Sequence, residues 1–139
     1  MSETAKAGRP VPKPNTYVDT TPFWEGAKRK ELFLQYCKDT GRFQHYPRPV
    51  SIYTGSRNLE WRKVSGRGKI YANTVIRIPG PGIDGRLPLP VVTVDLEEGA
   101  RILGNIIDSN VEQIKIGAAV EVAWDHLADD IYYPAFRLV

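Results

Sequence analysis

The stretch CKDTGRFQHYPRPVSIYTGS, residues 37–56, has the pattern of a small metal-binding knuckle. A turn containing Gly41 follows Cys37, a Pro-Arg-Pro segment comes next, and a second turn ends at Gly55 and Ser56. A structural zinc site with this pattern needs four thiolate or imidazole ligands. Cys37 is the only cysteine of the chain, so the stretch has the turns of such a site without its ligand set.

The residues on either side of these turns predict a hairpin. LFLQYC, which ends at Cys37, alternates in the manner of a strand, and RFQHYPRPV predicts a second short extended segment. Asp39 and Gly41 are turn formers, and they lie between the two segments. We therefore expect a small module over residues 20–56.

A short helix is predicted ahead of the hairpin, in TPFWEGAKRKE. Thr21 is placed to cap this helix, and Pro22 suits its first position. Residues 1–19 contain three prolines and no hydrophobic periodicity, which predicts a flexible N-terminal arm.

The remainder of the chain, residues 57–139, predicts a β domain. The segments with strand character are KIYANTVIRI, LPVVTVDL, ARILGNII, AAVEVAWDHL and YYPAFRLV. A Gly/Pro-rich loop, PGPGIDGRLPLP, separates the first two strands, and SNVEQIKIG predicts a short helical turn before the fourth. Five strands connected in this way indicate a small closed barrel of the OB type. The predicted fold class is therefore mainly β, with a helix and hairpin module before a five-stranded OB barrel.

Charge and composition narrow the classes of function. The net charge is +3, but residues 1–15 supply +2 of it, which leaves the folded part nearly neutral. Nucleic-acid-binding domains concentrate positive charge on a folded face, so nucleic acid is not the expected partner. A single cysteine permits no intrachain disulfide, and no apolar run is long enough to cross a membrane or to form a signal-peptide core. These features predict a cytoplasmic protein without membrane association.

Four segments together resemble the DUF35 family in their order and spacing: PFWEGAKRKELFLQYCKDTGRFQHYPRP, GRGKIYANTVI, PVVTVDLEEGARILGNI and IKIGAAVEVAW. The resemblance covers nearly everything after the N-terminal arm. It implies a helix and a rubredoxin-like zinc ribbon followed by an OB-fold. It also places the four zinc-ligand positions of the family at Cys37, Thr40, Ser51 and Thr54. Hydroxyls are poor zinc ligands beside thiolates, so we expect a degenerate ribbon that keeps its fold and binds no zinc.

The resemblance also implies a function. DUF35 proteins accompany thiolase-like enzymes and aldolases that act on acyl-CoA, and the partner enzyme supplies the catalytic residues. The expected function is therefore that of a non-catalytic accessory subunit in a hetero-oligomer. It would help to bind or channel the coenzyme A thioester, a ligand shared with the partner, and would hold no tightly bound cofactor of its own.

Candidate contacts for the coenzyme A phosphates come from the basic residues. The most basic part of the predicted fold is the region around the turn SGRGK, which contains Arg67 and Lys69. Arg48 is a second candidate because the prolines on both sides of it restrict its backbone. A tight turn entering the first barrel strand is the simpler interpretation of SGRGK, which lacks the spacing of a P-loop.

Two alternatives have less support. An OB-fold can bind single-stranded nucleic acid by stacking bases on aromatic side chains, for which Trp61, Tyr71 and Trp124 are the candidates. A stand-alone enzyme is disfavoured because the chain has no recognised catalytic motif, and the acidic segment WDHLADD is better explained as a solvated loop.

Overall fold

The computed structural model describes residues 13–80, 83 and 85–139. Residues 1–12 of the predicted N-terminal arm lie outside the described part of the chain, as do three positions of the Gly/Pro-rich loop. No helix in the described residues is long and apolar enough to cross a membrane.

The N-terminal module consists of one helix and a three-stranded antiparallel sheet with strand order β2-β1-β3. Its elements are α1 (Thr21–Lys28), β1 (Phe33–Cys37), β2 (Arg42–Gln44) and β3 (Leu59–Lys63). The predicted helix and hairpin are both present. The helix cap is Thr20 rather than the predicted Thr21, whose hydroxyl instead donates a hydrogen bond of 2.7 Å to the Tyr17 carbonyl.

Strand β3 was not predicted. Its five residues pair with β1 along their full length, from Leu59 opposite Cys37 to Lys63 opposite Phe33. Pairing within the module therefore continues beyond residue 56, where the sequence suggested that the barrel domain begins.

The second part of the chain is a closed five-stranded barrel with strand order β4-β5-β6-β8-β7. Its strands are β4 (Arg67–Ile76), β5 (Leu89–Leu96), β6 (Arg101–Ile106), β7 (Ala119–Ala128) and β8 (Ile131–Leu138). A short 3₁₀ helix (Val111–Gln113) lies between β6 and β7. The predicted fold class is confirmed, because the chain is mainly β with a helix and ribbon-like module before an OB-type barrel.

One hydrophobic core joins the module to the barrel. Phe23 of α1 and Leu34 of β1 belong to the same buried cluster as Ile102 and Phe136 of the barrel. Phe136 and Leu34 are both fully buried. Burying an apolar side chain of this size stabilises a fold by roughly 1.5–3 kcal/mol, so the two parts support each other.

Two glycines allow the barrel to close at the start of β4. Gly66 has a φ of +79°, and a Cβ atom there would lie 2.3 Å from Cγ1 of Val122 on β7. A Cβ atom on Gly68 would lie 2.3 Å from the Asp95 carbonyl oxygen on β5. The glycines of SGRGK are therefore explained by the close approach of β4 to both neighbouring strands.

We predict that Gly68→Ala lowers the free energy of unfolding by about 2–4 kcal/mol, because the added methyl group meets a backbone atom that cannot move aside. The matched control is Gly85→Ala, since a Cβ atom at Gly85 meets nothing within 4 Å. Urea denaturation followed by circular dichroism measures both changes. Equal stability of the two variants would show that strand spacing does not require Gly68.

Candidate ligand-binding site

A cavity of about 460 Å³ lies between the N-terminal module and the barrel. We call it the aromatic cavity. The module contributes Thr20, Phe23, Trp24, His45, Tyr46 and Pro47, and the barrel contributes Val91, Ile102, Leu103, Gly104, Asn105, Tyr133 and Pro134. None of these residues carries a formal charge at neutral pH with histidine neutral.

Ring contacts fix the aromatic walls of this cavity. Phe23 and Trp24 meet edge to face with centroids 4.9 Å apart, and Trp24 meets Tyr133 of β8 in the same geometry at 5.4 Å. Edge-to-face pairs at these distances are favourable beyond the area that they bury. The helix side of the cavity is thereby fixed against the barrel side.

His45 belongs to the module side of the cavity wall. Its ring stacks on Phe23 with centroids 5.4 Å apart and contacts Tyr46 at 4.1 Å. Burial lowers the pKa of His45 to about 4. Its Nδ1 atom is buried and has no hydrogen-bond partner among the described residues. The ring is therefore neutral at physiological pH. No sequence pattern indicated this unsatisfied nitrogen.

Two buried glutamines hold the Pro-Arg-Pro segment, residues 47–49. Gln35 of β1 accepts a hydrogen bond from the Arg48 amide at 2.9 Å and donates one to the Arg48 carbonyl at 2.8 Å. Gln44 donates to the Gln35 side chain at 2.7 Å and accepts from the Ile52 amide at 2.8 Å. The sequence analysis missed this network. The available signal was a pair of glutamines at inward-facing positions of a predicted hairpin.

Arg48 is exposed, and its side chain forms no ion pair with the described residues. Lys69 on β4 is likewise exposed and forms no ion pair with the described residues. Arg67 differs, because its guanidinium donates two hydrogen bonds of 3.1 Å to the Glu97 carboxylate, which raises the pKa of Arg67. None of the three lines the aromatic cavity. Contact of these residues with coenzyme A phosphates stays a prediction.

The four family ligand positions form a hydrogen-bonded group. The Ser51 hydroxyl donates to the Cys37 sulfur at 3.1 Å, and both residues are buried. Hydrogen bonding, chiefly from Ser51 and then from the Thr40 side chain, lowers the pKa of the Cys37 thiol to about 7. Thr54 donates to the Asp39 carboxylate at 3.2 Å.

Asp39 joins the first turn to the second. Its carboxylate accepts hydrogen bonds from Asn58 at 2.7 Å, from Ser56 at 2.5 Å and from Thr54. These contacts, with that of Asn58 the largest, lower the pKa of Asp39. Side-chain hydrogen bonds to Asp39 thus connect the turn after Cys37 to the turn that ends at Ser56.

The acidic segment WDHLADD forms separate local contacts. Asp125 is paired with Arg86, and Asp130 lies 3.4 Å from the ammonium group of Lys28. The Nε2 atom of His126 lies 2.7 Å from the Asp129 carbonyl oxygen. In the described part of the chain, no group of three or more acidic, histidine or cysteine side chains is arranged to hold a metal ion.

The aromatic residues considered for nucleic-acid stacking differ in exposure. Trp61 and Trp124 are partly buried and pack against the core. Tyr71 is 50% exposed, and the Arg101 guanidinium covers its ring at 3.6 Å from the centroid. Two of the three side chains thus pack against the core and Arg101 covers the third, so no observation favours nucleic-acid binding.

Two domain families match the chain. Residues 24–51 match the family described as the ChsH2 rubredoxin-like zinc ribbon domain, and residues 61–125 match the ChsH2 C-terminal OB-fold domain. A DUF35 domain-containing scaffold protein of Pyrococcus furiosus is 33% identical over 100 residues, which are 72% of this chain and 74% of that protein.

A probable enoyl-CoA hydratase alpha subunit of Thermomonospora curvata is 30% identical over 132 residues, which are 95% of this chain. The chain spans only 40% of the length of that relative. The solved structure described as Ltp2-ChsH2(DUF35) aldolase contains a chain with 28% identity and a TM-score of 0.82. The match covers 91% of this chain and 98% of the solved one.

The match to a zinc ribbon domain corrects the prediction that no zinc is bound. That prediction is wrong, because residues 24–51 match a zinc ribbon domain, and this match indicates zinc binding. The side chains at the four ligand positions are nevertheless one thiol and three hydroxyls. One of these hydroxyls, that of Ser51, donates a hydrogen bond to the Cys37 sulfur. This set does not fit a tetrahedral thiolate site, so the function proposed below assigns no role to the ion.

We predict that the stability of the protein falls by about 2 kcal/mol between pH 7 and pH 4.5 because of His45 alone. The pKa of this residue is about 4 in the folded state and 6.5 as the ordinary value, so below pH 6.5 the unfolded chain binds the proton more readily. Stability is thus lost as the pH falls, until the folded state also protonates. Urea denaturation at both pH values measures the effect.

The variant His45→Phe should lose this part of the pH dependence, since phenylalanine keeps the stacked ring without a titrating group. Ile116→Phe, at an exposed position without a titrating group, is the control and should keep the acid dependence of the wild type. An unchanged acid dependence in His45→Phe would mean that His45 is not desolvated in the folded protein.

Proposed function

Because the chain belongs to the DUF35 family, we propose that it is the accessory subunit of a thiolase-like or aldolase enzyme that acts on acyl-CoA thioesters. The observation that carries this proposal is the match to a chain of the Ltp2-ChsH2(DUF35) aldolase along 98% of that chain. In that assembly an aldolase is joined to a DUF35 chain. A similar chain of similar length is suited to the same kind of assembly.

The side chains of this protein are consistent with a partner that supplies the chemistry. Cys37 is buried and hydrogen-bonded to Ser51, and the neutral His45 has no carboxylate or nucleophile as its partner among the described residues. General acid–base catalysis needs a group within hydrogen-bonding reach of the atom that gains or loses the proton. The protein would therefore contribute a binding surface while the partner contributes the reacting groups.

A cytoplasmic location remains a proposal.

The module also presents aromatic side chains that suit a partner. Tyr46, which is 53% exposed, directly precedes the Pro-Arg-Pro segment, and Ile52, which is 54% exposed, follows its last proline by three residues. Exposed aromatic side chains such as Tyr46 are candidates for contact with a partner, because aromatic residues are enriched at protein–protein interfaces.

We propose in addition that Arg48 and Lys69 bind the phosphates of the coenzyme A thioester. Both side chains are exposed and form no ion pair with the described residues, and the Gln35 hydrogen bonds fix the backbone of Arg48. Arg67 is a weaker candidate, because a phosphate would have to compete with Glu97 for its guanidinium.

We predict that the chain forms a stoichiometric complex when co-expressed with the thiolase-like or aldolase subunit of its own organism. Size-exclusion chromatography with light scattering measures the mass of the complex. Tyr46→Asp should weaken the complex at least tenfold, because it places a charge on the aromatic surface. Lys115→Asp, at an exposed position outside the module, is the matched control. A wild-type chain that stays monomeric beside every such enzyme of the organism would contradict the accessory role.

A separate prediction concerns the contact of Arg48 and Lys69 with the phosphates of coenzyme A. Arg48→Ala and Lys69→Ala should each raise the apparent KM of the complex for its acyl-CoA about three- to tenfold while kcat stays nearly constant, since phosphate contacts contribute to binding in both ground and transition states. Arg77→Ala removes an exposed cation beyond the opposite end of β4 and should leave KM unchanged. If all three variants have wild-type kinetics, the thioester does not contact this surface.

A further inference from the structure

We propose that the aromatic cavity is a binding site for a neutral, largely apolar ligand that carries a carbonyl-type hydrogen-bond acceptor. Its volume of about 460 Å³ lies within the range of roughly 300–1,000 Å³ that is typical of small-molecule sites. The nature of its walls then decides which ligands it accepts.

The walls are suited to a flat apolar group. Trp24 forms edge-to-face contacts with both Phe23 and Tyr133, which restricts the movement of these rings. Pro47 of the module and Pro134 of β8 add two further rigid apolar surfaces. Rigid walls bind a flat ring or chain at a low cost in side-chain entropy.

The lining excludes charged ligands. No lining residue offers a formal charge that would pair with an ion inside the cavity. An ion that is buried without a partner costs several kcal/mol. The part of a ligand that enters the cavity must therefore be neutral.

His45 supplies the polar contact. Its Nδ1 is buried without a hydrogen-bond partner in the described part of the chain, and buried unpaired N–H groups are rarer than unpaired acceptors. We therefore assign the proton of the neutral ring to Nε2. His45 is part of the cavity lining, so this N–H is the donor that the ring offers to a ligand in the cavity. A ring N–H donor in the wall of a cavity is complementary to a ligand oxygen.

The edge of the cavity indicates how a larger ligand would be oriented. Pro47 lines the cavity, and the next residue, Arg48, is exposed and unpaired within the described residues. A ligand with an apolar carbonyl end and an anionic end could place the first in the cavity and the second near Arg48. The acyl part of a coenzyme A thioester is such a ligand, and this identification rests on the proposed function.

Equilibrium dialysis of the free chain tests the site with two matched probes, 2-acetylnaphthalene and 2-ethylnaphthalene. They have nearly the same size and shape, but only the first carries a carbonyl oxygen. We expect the acetyl compound to bind about five- to tenfold more tightly, the difference that one hydrogen bond provides. His45→Phe should bind both probes with equal affinity, because it keeps the stacked ring and removes the donor.

A second pair of variants locates the binding. Leu103→Trp, in the cavity wall, should fill the space and reduce binding of the acetyl compound at least tenfold. Ile116→Trp adds the same side chain at a position that is 69% exposed and lies outside the lining, so it should bind as the wild type does. Circular dichroism confirms that each variant is folded.

Three results would overturn the proposal. The first is equal binding of both probes to the wild type, the second is binding that Leu103→Trp leaves intact, and the third is the absence of measurable binding. If no probe binds and Leu103→Trp prevents assembly with the partner enzyme, the cavity receives a partner side chain instead of a small ligand. Assembly is measured separately from dialysis, so the accessory role and the ligand site can fail independently.

Discussion

The hydrogen bonds between the side chains of Gln35 and Gln44 and the backbone around Arg48 hold the module in the shape on which the candidate site depends. They replace the water that these buried amides would otherwise bind, and they fix the segment that carries Pro47 into the cavity wall. A buried polar network of this kind stabilises one conformation because every broken bond leaves an unsatisfied group. Without it, the exposed cation of Arg48 and the wall beside it would have no fixed position.

The shared hydrophobic core completes this arrangement. Phe23 contacts both Trp24 and His45 on the cavity side, and it also belongs to the buried cluster that includes Phe136 of the barrel. The module is therefore packed on the barrel through the same residue that shapes the cavity. A change in the packing of α1 would alter the cavity and the core together.

The sequence predicted those features that depend on local patterns. Strand alternation and turn residues were sufficient for the hairpin and the five barrel strands, because period-two burial and turn formers act within a few residues. Strand β3 was missed because LEWRK does not bury a continuous apolar face. The role of Gly68 and the aromatic cavity were also beyond local patterns, since each depends on residues far apart in the chain that meet only in the folded protein.

The central claim is that this chain assists an acyl-CoA enzyme without performing the chemistry itself. Turnover of an acyl-CoA substrate by the purified partner enzyme, measured with and without an equimolar amount of this chain, tests that claim most directly. The account predicts no turnover by the chain alone and at least a tenfold higher kcat/KM for the mixture than for the enzyme alone. Turnover by the chain alone, or equal turnover by the enzyme with and without it, would contradict the account.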